Sequence, residues 1–338
     1  LDRFEQNEGW ASLSTGWGPE GGRNDLNGQL RLRNPVWLRA QGWSQTLSAA
    51  WVEGRAAAEL GVVREFRKGL ADSTVRSIGL GARWLTVTDA VYVDPGFYEN
   101  AGTVELALSG TFARAAAAWP LRLEVSLAAG YGYPNEEAGA SAGGYGRASL
   151  SGSVRHPIGK AITVGARAFA GGVWSGDSVL RQRRMYLAGA DPYQRFGSPF
   201  LRSRGSLLTE SRMNYHAPGG AGVRGLDSRV SSDQAIGATL EFEYAVVPRP
   251  VMGLFSRIAV AAFVDGGLGN GDLASGGDGL ETVADAGVGV RIGHRLGQTT
   301  FQTRFDFPLW VSRPELAQDD DPGEPIGFRW SFSFVPAF

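Results

Sequence analysis

Three histidines, His156, His216 and His294, are the first places to look for acid–base or metal chemistry in this 338-residue chain. None lies in a His-Glu-x-x-His motif, and there is no Gly-x-Ser-x-Gly elbow to raise a serine nucleophile. His156 precedes Pro157 at a turn and His294 falls at a strand end, so both read as plain surface or wall side chains. The run Asp319-Asp320-Asp321 lacks the spaced ligands of a calcium loop and reads as solvated. Gly266 to Gly271 resembles a phosphate loop only in composition, because no helix follows to supply a dipole. Cys is absent, which excludes thiolate metal sites and a disulfide framework. No catalytic residue, cofactor or metal follows from these patterns, and the chain does not read as an enzyme.

What remains is electrostatic. Asn214 to Arg229 is too rich in glycine and polar groups for a regular element and reads as an ordered loop, with Arg224 between two glycine-rich arms. A guanidinium in a partly desolvated site needs a carboxylate, since an unpaired charge there is costly. A bidentate pair with an aspartate would pin a long loop in place. Asp265, in Phe263-Val264-Asp265-Gly266, is the candidate partner, with Glu241 and Glu243 as alternatives.

The elements that must position these residues show in the periodicity. From Leu121 to Tyr133 the odd positions Leu121, Leu123, Val125, Leu127, Ala129, Tyr131 and Tyr133 are mostly apolar, while Arg122, Glu124 and Ser126 fall between them. A strand sends successive side chains to opposite faces, so this is a two-sided sheet. An apolar parity about ten residues long and ending in aromatics is the lipid-facing band of a transmembrane strand. Thr103–Phe112, Arg147–Val154 and Ile162–Trp174 repeat the pattern, and weaker copies precede them around Trp10–Trp17, Gly28–Trp37, Thr46–Gly54, Ala58–Phe66 and Val75–Val87. Alternation stops from 176 to 232, a stretch basic in places, and loops of that length are usually functional or disordered. It resumes in five segments, with Glu241, Glu243, Arg257, Phe263, Asp265, Arg291, Arg304 and Asp306 on the inward parity and Phe328, Trp330, Phe332, Phe334 and Phe338 on one face of the last.

Nine strands before the loop and five after it give fourteen. Lipid offers no partner for backbone groups, so such a sheet must close. The expected fold is all-β: one antiparallel transmembrane β-barrel domain over 1–338, with 176–232 as a long extracellular loop. A soluble all-β sandwich is the competing reading, but it rarely brings aromatics to so many strand ends. Composition does not separate the two, with 43% hydrophobic residues and a mean hydropathy of -0.14. The balance of 33 basic against 34 acidic residues argues against a nucleic-acid partner. Leu1-Asp2-Arg3-Phe4-Glu5 has no apolar core and does not read as a signal peptide; if the protein is exported, this is a mature or trimmed chain.

Val223-Arg224-Gly225-Leu226, Phe263-Val264-Asp265-Gly266, Gly287 to Arg291 and Phe305-Asp306-Phe307-Pro308 carry a family likeness. With five strands after the loop, the C-terminal half resembles the outer-membrane barrels of the BamA, TamA and FhaC superfamily, also called bacterial surface antigen barrels. The fourth motif position is Leu226 where the family has an aromatic. The resemblance implies sixteen strands and a lumen-inserted loop. It implies a lock made by Val223, Arg224 and Gly225 against Asp265 and Phe263, and a C-terminal assembly signal in Trp330, Phe332, Phe334 and Phe338. It also implies the outer membrane of a Gram-negative-type bacterium, with membrane lipid, the barrel-assembly machinery during biogenesis and a client polypeptide as partners. The family's POTRA domains do not occur in these 338 residues. The function implied is translocation or insertion of polypeptide. Two alternatives stay open: an anchor or exit conduit for an N-terminal enzymatic domain, and a passive porin.

Overall fold

The computed structural model describes residues 8–17, 24–34, 42–52, 55–66, 74–88, 98–114, 119–135, 143–176, 179–191, 219–247, 255–271, 279–296, 299–317 and 323–336. Nine strands lead into the long loop: β1 (Glu8–Trp17), β2 (Asn24–Asn34), β3 (Trp43–Val52), β4 (Arg55–Phe66), β5 (Thr74–Val87), β6 (Ala101–Arg114), β7 (Leu121–Pro134), β8 (Gly143–Ile158) and β9 (Ile162–Ser175). Within the loop, β10 (Met185–Tyr186) and β11 (Ser231–Ser232) pair as a short ribbon. Five more follow: β12 (Gln234–Val247), β13 (Phe255–Gly269), β14 (Glu281–Leu296), β15 (Thr299–Val311) and β16 (Ser331–Pro336). All but the ribbon join one fourteen-stranded sheet in which each strand pairs with its neighbour in the chain, β9 pairing β12 across the loop.

Fourteen is the number that alternation gives. The two further strands implied by the family resemblance do not occur among the described residues, and no pairing there joins β1 to β16. The last strand is shorter than the sequence suggests. Phe328 and Trp330 precede it, because Ile326 bridges Trp310 and the Gly327 amide donates to the Leu309 carbonyl before regular pairing begins at Ser331. The alternation of faces continues through both regions, with Arg329, Ser331 and Ser333 buried between Phe328, Trp330 and Phe332. Phe332 stacks on Phe305 at 4.9 Å and Phe328 lies 5.8 Å from Phe307. Only the backbone is described at Phe334, and Phe338 lies outside the described residues.

The two faces are inverted relative to a water-soluble protein. Leu106 is 63% exposed while Glu105 beside it is 5% exposed. Leu80, Leu127, Leu150, Ile236, Leu240, Phe242, Val260 and Val288 stand out on the convex side. Buried on the other side are Glu243, Asp265, Asp285, Arg291 and Asp306. Isolated exposed leucines are ordinary, but a continuous apolar wall over buried ion pairs fits only an apolar solvent, which makes this a membrane-spanning β-barrel fold. Aromatics sit at both ends of the band. Trp84 donates to the Tyr133 hydroxyl at 2.7 Å near one edge, and Trp119 stacks on His156 at 4.0 Å near the other.

Loop length separates the edges. The start of β1 and the end of β16 lie at the edge that bears the connections 35–42, 67–73, 115–120, 159–161, 248–254 and 297–298. The opposite edge carries 88–100, 176–233, 270–280 and 312–330 among its connections. The apolar core lies on the concave side, where the long loop packs on the wall: Met185, Leu187, Val223, Leu226 and Val230 with Phe169, Val173 and Val283. Tyr186 belongs instead to a cluster with Ala57, Leu85 and Val87 of β4 and β5. Its neighbour Leu187 reaches Gly267 of β13, six places along the sheet from β5. Adjacent residues can touch strands so far apart only if the sheet curls around the loop.

Candidate functional site

The site is built where Arg224 meets the inner wall of β12–β15. Parity places its partners: Glu241, Asp265, Asp285, Arg291, Arg304 and Asp306 all point to the concave face of four adjacent strands. Register then sets their depth. Asp265 lies opposite Asp285, and Arg291 opposite Arg304. Like charges directly opposed in a sheet are destabilising unless something intervenes. Here the intervening groups come from the loop and from across the ladder.

Arg224 is 4% exposed. Its Nε and Nη2 donate to the two oxygens of Asp265 at 2.8 and 3.0 Å, a bidentate pair, and its backbone amide donates to Oδ2 at 3.3 Å. Nη1 donates to Glu241 Oε2 at 2.7 Å and to Asp306 Oδ1 at 3.0 Å. The guanidinium carbon stands 3.7 Å from the centre of the Phe263 ring, a cation–π contact in a desolvated place. The Gly225 amide donates to Asp285 Oδ2 at 2.6 Å. Burial alone would lower the arginine's pKa; the carboxylates of Asp306 and Asp265 outweigh it and hold the group well above its usual value. Arg224 is therefore charged at any pH the protein meets.

Two wall arginines complete the network. Arg291 donates to Glu241 at 3.2 and 2.8 Å and to Asp306 at 2.5 Å, and Arg304 donates to Glu241 at 2.6 Å. Three guanidinium groups thus meet four carboxylates. A bare acidic cluster would invite a cation, but Glu241, Asp265 and Asp306 are already bonded to arginines.

The loop reaches this point because its glycines allow it. Gly222 has φ +83°, a conformation L side chains rarely adopt, and a Cβ there would stand 2.5 Å from Arg167 Nη1. Arg167 uses its other terminal nitrogen to hold the Gly220 carbonyl at 2.6 Å. A Cβ on Gly225 would meet Val311 at 2.5 Å, so only glycine lets the backbone come close enough to reach Asp285. Val223 is fully buried against Gly267. Leu226, where the family has an aromatic, is 1% exposed and bridges Ala317 beyond β15.

The structure therefore brings together Val223, Arg224, Gly225, Glu241, Phe263 and Asp265. It sets Glu243 apart. That carboxylate accepts from Arg155 at 2.6 Å and Arg257 at 3.0 Å, two residues further along β12. Parity gives a side chain its face but not its depth, and Glu243 lies below the reach of Arg224. Arg291, Arg304 and Asp306 are legible as inward residues but not as partners of the loop; their matching registers on β14 and β15 were the available signal. Asp285 shares that parity and is found only through the Gly225 amide.

A second anchor has no sequence signal at all. Arg183 forms a buried ion pair with Glu105 of β6, which also accepts from the Tyr145 hydroxyl at 3.1 Å. Gln182 Nε2 donates to the carbonyls of Glu99 and Ala101, each at 3.3 Å, and Asp191 accepts from Arg147 at 2.7 Å. The histidines are placed blandly: His156 in its stack, and His294 at 2.8 Å from the Thr303 hydroxyl. His216, Arg202, Arg204 and Asp319–Asp321 lie outside the described residues.

No family model and no curated protein matches the chain. Among solved structures it is similar to CdiB from Escherichia coli, at 14% identity and a TM-score of 0.49, over 96% of this chain and 62% of that one. It is similar to BamA from Haemophilus ducreyi lacking POTRA domains 1-3, at 12% identity and 0.43, over 97% and 70%. A bacterial polysaccharide outer membrane secretin shares 11% identity at 0.31, over 89% and 91%. The chain spans about three-fifths of the length of the CdiB structures, 62% of the one above and 58% of that from Acinetobacter baumannii.

Proposed function

We propose that the chain is an outer-membrane barrel that moves polypeptide across the membrane or inserts it, and that the loop docked through Arg224 closes its lumen at rest. The observation that supports this reading is the buried Arg224–Asp265 pair with its Glu241 and Asp306 contacts, which fastens residues 219–230 of a long connection against the inner wall. A passive porin needs an open polar channel, whereas this loop fills the concave side with Met185, Leu187, Val223 and Leu226. Polypeptide suits such a lumen, since an extended chain can displace the loop and find both the ion pairs and the apolar patches it leaves behind.

The test uses phospholipid vesicles carrying the whole chain. A urea-unfolded bacterial β-barrel is diluted into them, and its insertion is followed by protease protection. The expected result is faster insertion than in empty vesicles, with planar-bilayer recordings of the chain alone showing little steady conductance. Insertion no faster than in vesicles carrying an unrelated barrel, together with a permanently open pore, would refute the proposal.

A further inference from the structure

Among the described residues of β3 to β15, the arginines and carboxylates on the convex face are confined to one place. Arg64 on β4, Arg76 on β5 and Arg114 on β6 all lie on the outward parity of their strands and are exposed. The same parity holds Leu60, Ile78, Leu80, Leu106 and Leu108 further along. Among the described residues of β3 to β15, no carboxylate shares that outward parity: Glu59, Glu65, Glu105, Glu124, Glu241, Glu243, Asp265, Glu281, Asp285 and Asp306 all fall on the other. Among the described residues of β3 to β15, the outward face thus presents three cations on adjacent strands and no carboxylate.

Their setting is aromatic. The Arg64 guanidinium carbon lies 5.3 Å from the Trp43 ring centre and 4.7 Å from that of Phe66, and Arg76 lies 5.9 Å from Phe112. Register explains the contacts, since Trp43 lies opposite Arg64 and Arg76 lies opposite both Phe66 and Phe112. The rings flank the guanidinium heads of Arg64 and Arg76 themselves and keep them at the surface of the wall. Depth follows from chain length. Arg76 is eight residues before Trp84 on one strand, or about 26 Å along it at ~3.3 Å per residue. With the strand tilted about 35–45° this is roughly 20 Å of height, and a long arginine side chain reaching outward along the wall covers the remainder of the ~25 Å apolar band. The three heads therefore lie at the boundary of the band, at the edge where β1 starts and β16 ends.

From this geometry we infer that Arg64, Arg76 and Arg114 form a binding site for the phosphate of an anionic phospholipid, in the leaflet at that edge. Charge complementarity selects the occupant. Guanidinium groups bind phosphate oxygens in a bidentate manner, the medium at this height is headgroup, and acyl chains leaving the phosphate run directly over Leu60, Ile78 and Leu108. The inference rests on the convex face lying in lipid, not on the translocation reading.

The experiment inserts the whole chain into nanodiscs of phosphatidylcholine containing a minor fraction of phosphatidylglycerol, then extracts it gently and counts retained lipids by native mass spectrometry. The wild type is expected to keep phosphatidylglycerol in preference to phosphatidylcholine. Arg64→Gln/Arg76→Gln/Arg114→Gln should lose that preference by roughly fivefold per arginine, on the order of a hundredfold in all. The corresponding triple lysine variant should keep the part that charge alone supplies and fall between the wild type and the glutamine variant. Single glutamine variants give the same readout in steps if the triple variant does not insert. Equal retention of the two lipids by the wild type, or undiminished preference in the glutamine variants, overturns the inference. So does displacement of the retained lipid by millimolar glycerol phosphate, which would mark a site for free phosphate. Failure of the wild type to insert into any lipid would instead remove the membrane reading beneath it.

Discussion

Replacing Arg224 by alanine removes the cation that three carboxylates share. Glu241 and Asp306 keep Arg291, and Glu241 keeps Arg304 as well, whereas Asp265 loses both guanidinium bonds and faces Asp285 across the ladder. Taking one partner from a buried pair costs about 3–5 kcal/mol, most of it from the charge left behind. The strand ladders are untouched, so the loss falls on loop docking and not on the sheet. At ~1.4 kcal/mol per decade, the undocked fraction should rise roughly a hundred- to several-thousandfold. Limited proteolysis of the folded protein reads that fraction when opening is fast relative to cleavage. Cuts should appear between residues 180 and 230, while thermal unfolding of the barrel shifts little. The reasoning is sharper in the double variant. Asp265→Asn in the Arg224→Ala background removes the orphaned charge and should slow cleavage again. Protease sensitivity unchanged in Arg224→Ala, or a double variant cut faster than the single one, would refute the account of a lock held by charge pairing.

Further outcomes follow from other contacts. Gly222→Ala adds a Cβ 2.5 Å from Arg167 Nη1 at φ +83°, so it should loosen the loop by about 1–2 kcal/mol, while Gly266→Ala, where a Cβ meets nothing within 4 Å, should not; proteolysis rates compare the two. Arg183→Met should expose the 180–184 stretch to protease first and loosen 219–230 less, because Arg224 keeps its own partners although the two limbs are also joined through the ribbon and the Tyr186 and Leu187 backbone bonds. Leu106→Arg, at 63% exposure, would be harmless on a water-facing wall; in lipid it should cost about 2–4 kcal/mol of stability, measured by urea titration in vesicles.

The strands were legible because one physical demand, apolar toward lipid and polar toward the inside, acts on every second residue. It marks Leu121–Tyr133 and Ile236–Tyr244 with no knowledge of their neighbours. The same rule put Asp265, Arg291, Arg304 and Asp306 on the inner wall. It could not say which of Glu241 and Glu243 stands level with Arg224, because depth depends on register between strands and register depends on turns far away in sequence. The start of the last strand is not legible for a related reason. Phe328 and Trp330 keep the alternation but lie before regular pairing, where the chain is still bonded to the far end of β15 through Ile326 and Gly327. The Arg183–Glu105 anchor joins residues 78 positions apart with no periodicity on the loop side, so nothing local announces it.

The loop is fastened to β6 and β8 by Gln182, Arg183 and Asp191, and to β12–β15 by Arg224 and Gly225. It is therefore a strut as well as a stopper. A curled sheet can relax by flattening, and flattening draws these two sets of strands apart. The strut resists that motion only while both feet hold. Loop docking and sheet curvature are then two coordinates of one equilibrium, and whatever pulls on either is felt by the other in equal measure.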